Sequence, residues 1–163
     1  MHRWLKRSLV AALLLTATLA MPEAQASGGQ ASVADVRNAT AKFHDVNQAE
    51  HPGYARLLPC FDSPGVGGMG QHYVKGPLDN VVNASEPEAL VYEVDGDRLQ
   101  LVAVEYIIPQ DQWTSSVPPS LLGHSFFRND ALGLWALHAW IWRPNPAGMF
   151  ANYNSKVKLC PGH

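Results

Sequence analysis

Apolar residues alternate with bulkier or polar residues over several stretches of the chain, a period of two that is typical of β-strands. The clearest stretch runs from Ala136 to Trp142 and contains a single polar residue, His138. In a strand, His138 shares one face with Trp140 and Trp142. Because both faces are apolar, the strand is predicted to be central and buried, with one titratable side chain projecting from it.

A second alternating pattern predicts a β-hairpin from Glu88 to Ile108, with Asp95-Gly96 as a two-residue turn. The register that follows pairs Val94 with Asp97, Tyr92 with Leu99, Leu90 with Leu101 and Glu88 with Ala103. It places Glu88 and Glu105 diagonally adjacent at the end of an apolar face. Two carboxylates there repel each other unless a cation or a shared proton holds them together.

The spacing becomes helical between Val33 and about Glu50, with Ser32 as the N-cap and Pro52-Gly53 as the stop. Further on, a glycine-rich stretch leads into a short strand that carries His72. Within it, Gly68-Met69-Gly70 is predicted to lie against a neighbour that leaves no room for side chains. Together these elements predict an α+β fold, with an N-terminal helix packed on a mostly antiparallel β-sheet or small barrel.

The first 26 residues have the pattern of a signal peptide. Basic residues precede an apolar run from Leu9 to Ala20, and Ala24-Gln25-Ala26 resembles a cleavage site. The run is too short for a good membrane span. Residues 27–163 are therefore expected to form a single secreted or periplasmic domain, with no stable membrane anchor after cleavage.

Charge and cysteine content narrow the classes of partner. The leader holds three of the 12 basic residues and one of the 14 acidic residues, so the mature chain has 9 basic and 13 acidic residues and a net charge of −4. Without a basic stripe, nucleic acid is not an expected partner. Cys60 and Cys160 are the two cysteines, and in an exported protein they are expected to form a disulfide. Closing a loop of about 100 residues would stabilise the fold by roughly 4–5 kcal/mol.

Several short motifs together resemble a group of uncharacterised secreted bacterial proteins. The motifs are Gly68-Met69-Gly70-Gln71-His72-Tyr73-Val74, Pro87-Glu88-Ala89-Leu90-Val91-Tyr92-Glu93, Val104-Glu105-Tyr106, Pro119-Ser120-Leu121-Leu122-Gly123, and His138-Ala139-Trp140-Ile141-Trp142 continuing through Asn145-Pro146-Ala147-Gly148-Met149-Phe150. The resemblance covers nearly the whole mature chain. It implies bacterial export and a shared fold, and it implies no particular activity.

Four residues on predicted strands are candidate ligands for a metal ion: His72, Glu88, Glu105 and His138. Imidazoles and carboxylates in this proportion suit a divalent transition metal such as zinc, iron, manganese or copper. A long connection, residues 109–129, is expected to fold down as a lid, and its His124 is a further candidate ligand. If one coordination position stays open, hydrolysis by metal-bound water or dioxygen chemistry becomes available, so whether the protein is an enzyme stays open.

Two other classes of function fit the same sequence. A metal-free module would bind a small apolar or ring-shaped ligand in a pocket of aromatic side chains, for which the candidates are Tyr73, Tyr92, Trp113 and Trp140. An envelope interaction protein would need no pocket at all. Convergence of the two histidines with a glutamate would favour the metal, whereas an aromatic cavity would favour the ligand module.

Overall fold

The computed structural model describes residues 31–162, so the predicted signal peptide lies outside the described residues. Its helical elements are α1 (Val33–Thr40), a 3₁₀ helix (Ala41–His44), α2 (Asn47–Glu50) and a second 3₁₀ helix (Gln110–Gln112). Its strands are β1 (Tyr54–Arg56), β2 (Phe61–Ser63), β3 (Gly67–Lys75), β4 (Ala89–Asp95), β5 (Arg98–Pro109), β6 (Ser120–Leu121), β7 (His124–Ser125), β8 (Phe127–Asn129) and β9 (Leu134–Ala139).

The main sheet has seven strands. Six follow the order β1-β3-β4-β5-β9-β8, and β2 pairs separately with β3. The paired strands are antiparallel throughout. The helical segment packs on one face through Val36, Phe43 and Ala49, which join a core of strand residues that includes Tyr92 and Tyr106. The predicted α+β fold is confirmed, and its sheet is open, with β1 and β8 at the two ends of the strand order.

The predicted N-cap is confirmed, but the predicted single helix is broken. Ser32 and Asp35 form a capping box, in which the Ser32 hydroxyl accepts the Asp35 N–H and the Asp35 carboxylate accepts the Ser32 N–H. The chain tightens into the 3₁₀ helix after Thr40 and becomes extended at Asp45. The Asp45 carboxylate then accepts the backbone N–H of Asn47. Such a local side-chain bond competes with a continuous helix.

The predicted register of the β4–β5 hairpin is wrong. The turn is centred on Gly96-Asp97, so Asp95 pairs with Arg98 and Tyr92 pairs with Leu101. A β-bulge follows, and Val91 pairs with Ala103. The extra residue is Val102, which joins Val91 and Ala103 in a core cluster on the face opposite the helices. The bulge therefore reverses the alternation along β5, so that Glu105 lies on the face opposite the one that carries Leu101.

The strand around His138 is buried, as predicted, but β8 pairs only with its first three residues, so His138 has a strand neighbour on the β5 side alone, and the strand ends earlier than predicted. β9 stops at Ala139, and the N–H groups of Trp142 and Arg143 both donate to the carbonyl of Val102, at 3.1 Å each. Trp142 therefore does not continue the face of His138. Its ring packs edge-on against His44, with ring centroids 4.4 Å apart, and Thr40 accepts its indole N–H.

The glycine-rich start of β3 lies against other backbone, as predicted. Gly70 has φ +111°, and a Cβ there would lie 2.6 Å from the carbonyl oxygen of Tyr92. Cys60 and Cys160 form the predicted disulfide, which joins the residues before β2 to the end of the described chain. The C-terminal segment also bonds to this part of β3, because Gly68 and Asn154 form an antiparallel bridge.

Residues 109–129 pack mainly on the helix side of the sheet. The buried Phe126 belongs to the core on that side, and Trp113, Leu121 and Leu122 pack against it. The segment then forms β8, which pairs with the end of β9. Among the helices within residues 31–162, none is long and apolar enough to cross a membrane.

Candidate metal centre

Three of the four predicted metal ligands converge on the face of the sheet that the helices leave uncovered. His72 comes from β3, Glu105 from β5 and His138 from β9. Glu105 is the direct partner of His138 in the β5–β9 ladder, so both side chains project to the same side. His72 reaches them across β4. His72 pairs with Val91 on β4, and Val91 in turn pairs with Ala103 on β5, whereas Glu105 pairs with Ala89.

The potential ligand atoms are close together. Nε2 of His72 lies 3.3 Å from a carboxylate oxygen of Glu105. One ligand atom from each of the three residues can be chosen so that all lie within 4.8 Å of one another. Two ligand atoms of a tetrahedral metal ion are about 3.4 Å apart when each metal–ligand bond is about 2.1 Å. The His72–Glu105 separation already matches that value, and no pair would need to close by more than about 1.4 Å.

His138 is buried without any hydrogen-bond partner. It is 3% exposed, and neither of its ring nitrogens contacts a donor or acceptor among the described residues. Nδ1 of His72 is likewise buried and unpaired. A buried polar atom without a partner costs about 1–3 kcal/mol, so most buried polar atoms are satisfied. The unpaired nitrogens of His138, next to the His72–Glu105 pair, are therefore available to something that the protein itself does not supply.

Aromatic rings hold the two imidazoles in place. His138 packs against Trp140 with ring centroids 4.5 Å apart, and the Trp140 indole N–H donates to the carbonyl of Ala151. His72 contacts Phe61 edge-on at 5.6 Å. Phe61 directly follows Cys60, so the disulfide fixes the segment that carries this ring. Ring packing thus orients both imidazoles without involving their nitrogens.

Burial and mutual contact set the protonation of the group. Burial lowers the pKa of His138 to about 4, although the nearby Glu105 carboxylate acts in the opposite direction. Burial alone would raise the pKa of Glu105, but the hydrogen bond and charge of His72 outweigh it and hold that pKa below its ordinary value. At neutral pH, His138 is neutral and Glu105 is ionised. These are the protonation states in which imidazole and carboxylate bind a metal.

A cavity of about 240 Å³ opens over the three residues. His72, Glu105 and His138 contribute to its lining, and most of the other lining side chains are apolar, among them Leu58, Phe61, Met69, Ile107, Phe127 and Leu134. The remaining polar lining residues are Asn129, Asn152 and Tyr153. An ion held by the three ligands would therefore face an accessible, mostly apolar space.

The structure places Glu88 away from this group. Glu88 immediately precedes β4, and its carboxylate accepts the backbone N–H of Ile107 at 3.0 Å. This bond continues the contact between β4 and β5 beyond Ala89, which is the first residue of β4 and pairs with Glu105. Glu88 lines a separate depression with Lys75 and Asp79. The bulge explains the error, because a regular ladder would have kept Glu88 and Glu105 on one face.

His124 also lies outside the group. It is exposed, and its ring lies over Phe150 with centroids 3.8 Å apart. The one cluster within residues 31–162 that has metal-ligand geometry contains His72, Glu105 and His138 only.

The four aromatic residues predicted to line a ligand pocket do not form one. Tyr92 is fully buried and its hydroxyl donates to the carbonyl of Phe43, while Tyr73 packs edge-on against the Tyr92 ring. Trp113 donates its indole N–H to the carbonyl of Val117. Trp140 supports His138 from beside the cavity. The polar atoms of Tyr92, Trp113 and Trp140 all donate to backbone carbonyls, as is common for buried rings of these types.

The sequence-based prediction missed the residues of the cavity wall. A signal for two of them was present, because extending the alternation of β9 backwards from His138 places Ala136 and Leu134 on the same face. Phe127 follows from the pairing of β8 with β9, in which it is the partner of Ala136. Leu58, Met69 and Tyr153 come from loops or from an irregular strand, for which periodicity gives no signal.

Comparisons of the chain with protein families, with curated proteins and with solved structures found no match. The resemblance to a group of secreted bacterial proteins therefore stays a prediction from the motifs.

Proposed function

We propose that the protein binds one divalent transition metal ion, such as zinc, iron, manganese or copper, through His72, Glu105 and His138. The observation that carries this proposal is the burial of His138 with both ring nitrogens unpaired, beside an ionised carboxylate and a second imidazole. A bound cation would give one nitrogen of His138 a partner and offset the negative charge of Glu105.

The donor set determines the kind of metal. Two imidazole nitrogens and one carboxylate oxygen suit a transition metal ion that is intermediate between hard and soft. Calcium and magnesium are hard ions that prefer oxygen ligands alone. The protein offers three ligands where a tetrahedral ion takes four. Sites with a structural role are usually closed by four protein ligands, whereas sites that act on other molecules keep a position open. The cavity above the three residues supports an open position here.

Export of the protein is part of the proposal. Its support is the leader pattern in residues 1–26 together with the disulfide between Cys60 and Cys160, since disulfides persist in oxidising compartments. The protein would then bind its metal in the periplasm or outside the cell.

The direct test is the metal content of the protein after export and purification without a histidine tag. We expect close to one metal ion per chain, as isolated or after incubation with each metal and removal of the excess. His138→Ala should lose this metal while keeping its circular dichroism spectrum. His51→Ala is the matched control, because it removes an exposed imidazole outside the cluster and should leave the metal content unchanged. Wild-type protein that takes up none of the four metals would contradict the proposal.

A second candidate, a metal-free binding module for a small ligand, is favoured by the mostly apolar lining of the same cavity. The two functions differ in one measurable respect. A metal-free module would bind an apolar ligand equally well before and after treatment with a chelator. Binding that depends on the metal ion would be lost after the chelator removes it.

A further inference from the structure

The cavity over the metal-binding residues has two chemically different parts. Its polar floor is formed by His72, Glu105 and His138, whereas its wall is largely hydrocarbon. Two large apolar side chains of the lining, Phe127 and Leu132, are more than half exposed, at 56% and 53%. Apolar side chains that line a cavity and remain open to water are characteristic of a surface completed by a bound molecule.

The size of the cavity limits what it can hold. An apolar cavity of about 150 Å³ is large enough for benzene. At about 240 Å³, this cavity is larger than that, yet it lies below the usual range for drug-sized ligands of about 300–1,000 Å³. It therefore suits a small molecule with a short hydrocarbon chain or a single ring.

Charge determines which end of such a molecule faces the floor. A divalent ion bound to one carboxylate and two neutral imidazoles leaves a net charge of +1 in a buried setting. An anionic oxygen donor in the open coordination position would neutralise that charge and complete the metal's ligands. Without the metal, the Glu105 carboxylate would repel the same anionic group.

We propose that the cavity binds a small amphipathic anion, whose oxygen-donor head group coordinates the metal held by His72, Glu105 and His138 and whose short apolar body packs against Phe61, Phe127 and Leu134. This inference rests on the proposed metal-binding function and adds the chemical class of the ligand. The head group supplies the dependence on metal, and the wall supplies the preference for an apolar body.

Hydroxamates of different chain length test both parts, because they share one metal-binding head group. Octanohydroxamate, acetohydroxamate and octanamide would each be titrated by calorimetry into zinc-loaded wild-type protein and into protein stripped with a chelator. The zinc content of each sample would be measured before and after titration. Each buried methylene group strengthens binding by about fourfold. We therefore expect octanohydroxamate to bind at least about 30-fold more tightly than acetohydroxamate, which requires burial of two to three methylene groups.

Two further comparisons test the anionic head group and the metal ion. Octanamide, which has the chain but no anionic head group, should bind at least about 30-fold more weakly than octanohydroxamate, because it loses the charged metal contact. Protein stripped of zinc should show the same loss with octanohydroxamate.

Variants locate the binding surface. Phe127→Asp places a charge at an exposed position of the cavity wall and should weaken octanohydroxamate about tenfold more than acetohydroxamate, because only the longer chain packs on the wall, and should leave the zinc content unchanged. Val117→Asp is the control, because Val117 is 67% exposed and does not line the cavity, and it should change neither affinity. The chain-length comparison uses unaltered protein, so it decides the question even if Phe127→Asp folds poorly.

Failures of the two proposals are distinguishable. If zinc is bound but chain length does not affect affinity, or if octanohydroxamate binds equally well to stripped protein, the amphipathic-anion inference is overturned and metal binding stands. If the protein binds no zinc, iron, manganese or copper, both proposals fall together.

Discussion

Glu105 and His138 face each other directly across the β5–β9 ladder, and Nε2 of His72 lies 3.3 Å from the carboxylate of Glu105. Glu105 thus contacts both histidines and is the central member of the group, with the one carboxylate of the three side chains. The pairing also makes the site depend on strand register, since a shift of one residue would turn Glu105 to the other face.

Glu105→Gln should abolish tight metal binding with little change in shape. The amide oxygen can still accept a hydrogen bond from His72, but a neutral amide is a far weaker ligand for a transition metal than a carboxylate. We expect the affinity for zinc to fall at least about 100-fold in competition with a chelating dye. Glu50→Gln, an exposed glutamate on α2, is the matched control. Equal zinc affinity in wild type and Glu105→Gln would remove Glu105 from the ligand set.

His138→Leu should stabilise the metal-free protein while destroying the metal centre. Leucine has a similar size and no polar atoms, so it removes the cost of two buried, unpaired nitrogens. In denaturant titrations with a chelator present, we expect the free energy of unfolding to rise by about 1 kcal/mol. His51→Leu, at an exposed position, should change it by less than about 0.5 kcal/mol. A clear loss of stability in His138→Leu would show that the imidazole makes favourable contacts in the absence of metal.

Glu88 should contribute a stability that decreases as the pH rises. Burial raises its pKa to about 7, and the Ile107 N–H only partly opposes this. In the unfolded chain its pKa is about 4.3. Between these two values the folded protein retains a proton that the unfolded chain has released, so raising the pH favours unfolding.

The measurement is the difference in free energy of unfolding between wild type and Glu88→Gln at pH values from 4 to 8. Wild type should lose about 1 kcal/mol relative to the variant across this range, a reduced value because water screens the half-buried carboxyl. Contributions from other titrating groups cancel in the difference. A difference that is constant with pH would contradict the raised pKa.

Gly70→Ala should destabilise the fold by about 3 kcal/mol or more. Gly70 has φ +111°, and an added Cβ would meet the backbone carbonyl of Tyr92, which cannot move aside without disturbing the β3–β4 ladder. Thermal unfolding monitored by circular dichroism measures the effect. Gly76→Ala is the control, because nothing lies within 4 Å of a Cβ there. If both variants unfold at the same temperature, the close approach at Gly70 is not a constraint.

Local patterns in the sequence predicted much of the fold. The Ser32 cap, the glycine-rich strand, the strand around His138 and the disulfide all follow from residues near one another in the chain or, for the cysteines, from pairing of the two thiols present. Three of the four predicted metal ligands also converge. They were identified because a polar residue in an otherwise apolar strand is conspicuous wherever the strand lies.

The predictions that were wrong concern features that depend on contacts between distant parts of the chain. The hairpin signal at Asp95-Gly96 predicted the turn but missed its register by one position, because the turn is centred on Gly96-Asp97. The bulge at Val102 is bonded to Trp142 and Arg143, some 40 residues further on, and no local pattern announces it. The aromatic candidates failed for a related reason, since composition identifies large rings but does not distinguish core rings from cavity rings.

The bulge at Val102 sets how this chain tolerates insertions and deletions. Leu101 and Glu105 are four positions apart, so a regular ladder would place them on one face, and the extra residue is what separates them. Deleting Val102 would leave Leu101 opposite Tyr92 and Ala103 opposite Val91 in a regular ladder, with Glu105 still beside His138. Smoothing out the bulge without a deletion would instead turn Glu105 towards the helices. In descendants of this sequence, the bulge and the extra residue would therefore be kept together or lost together. That linkage between spacing and bulge would be the genetic trace of the site.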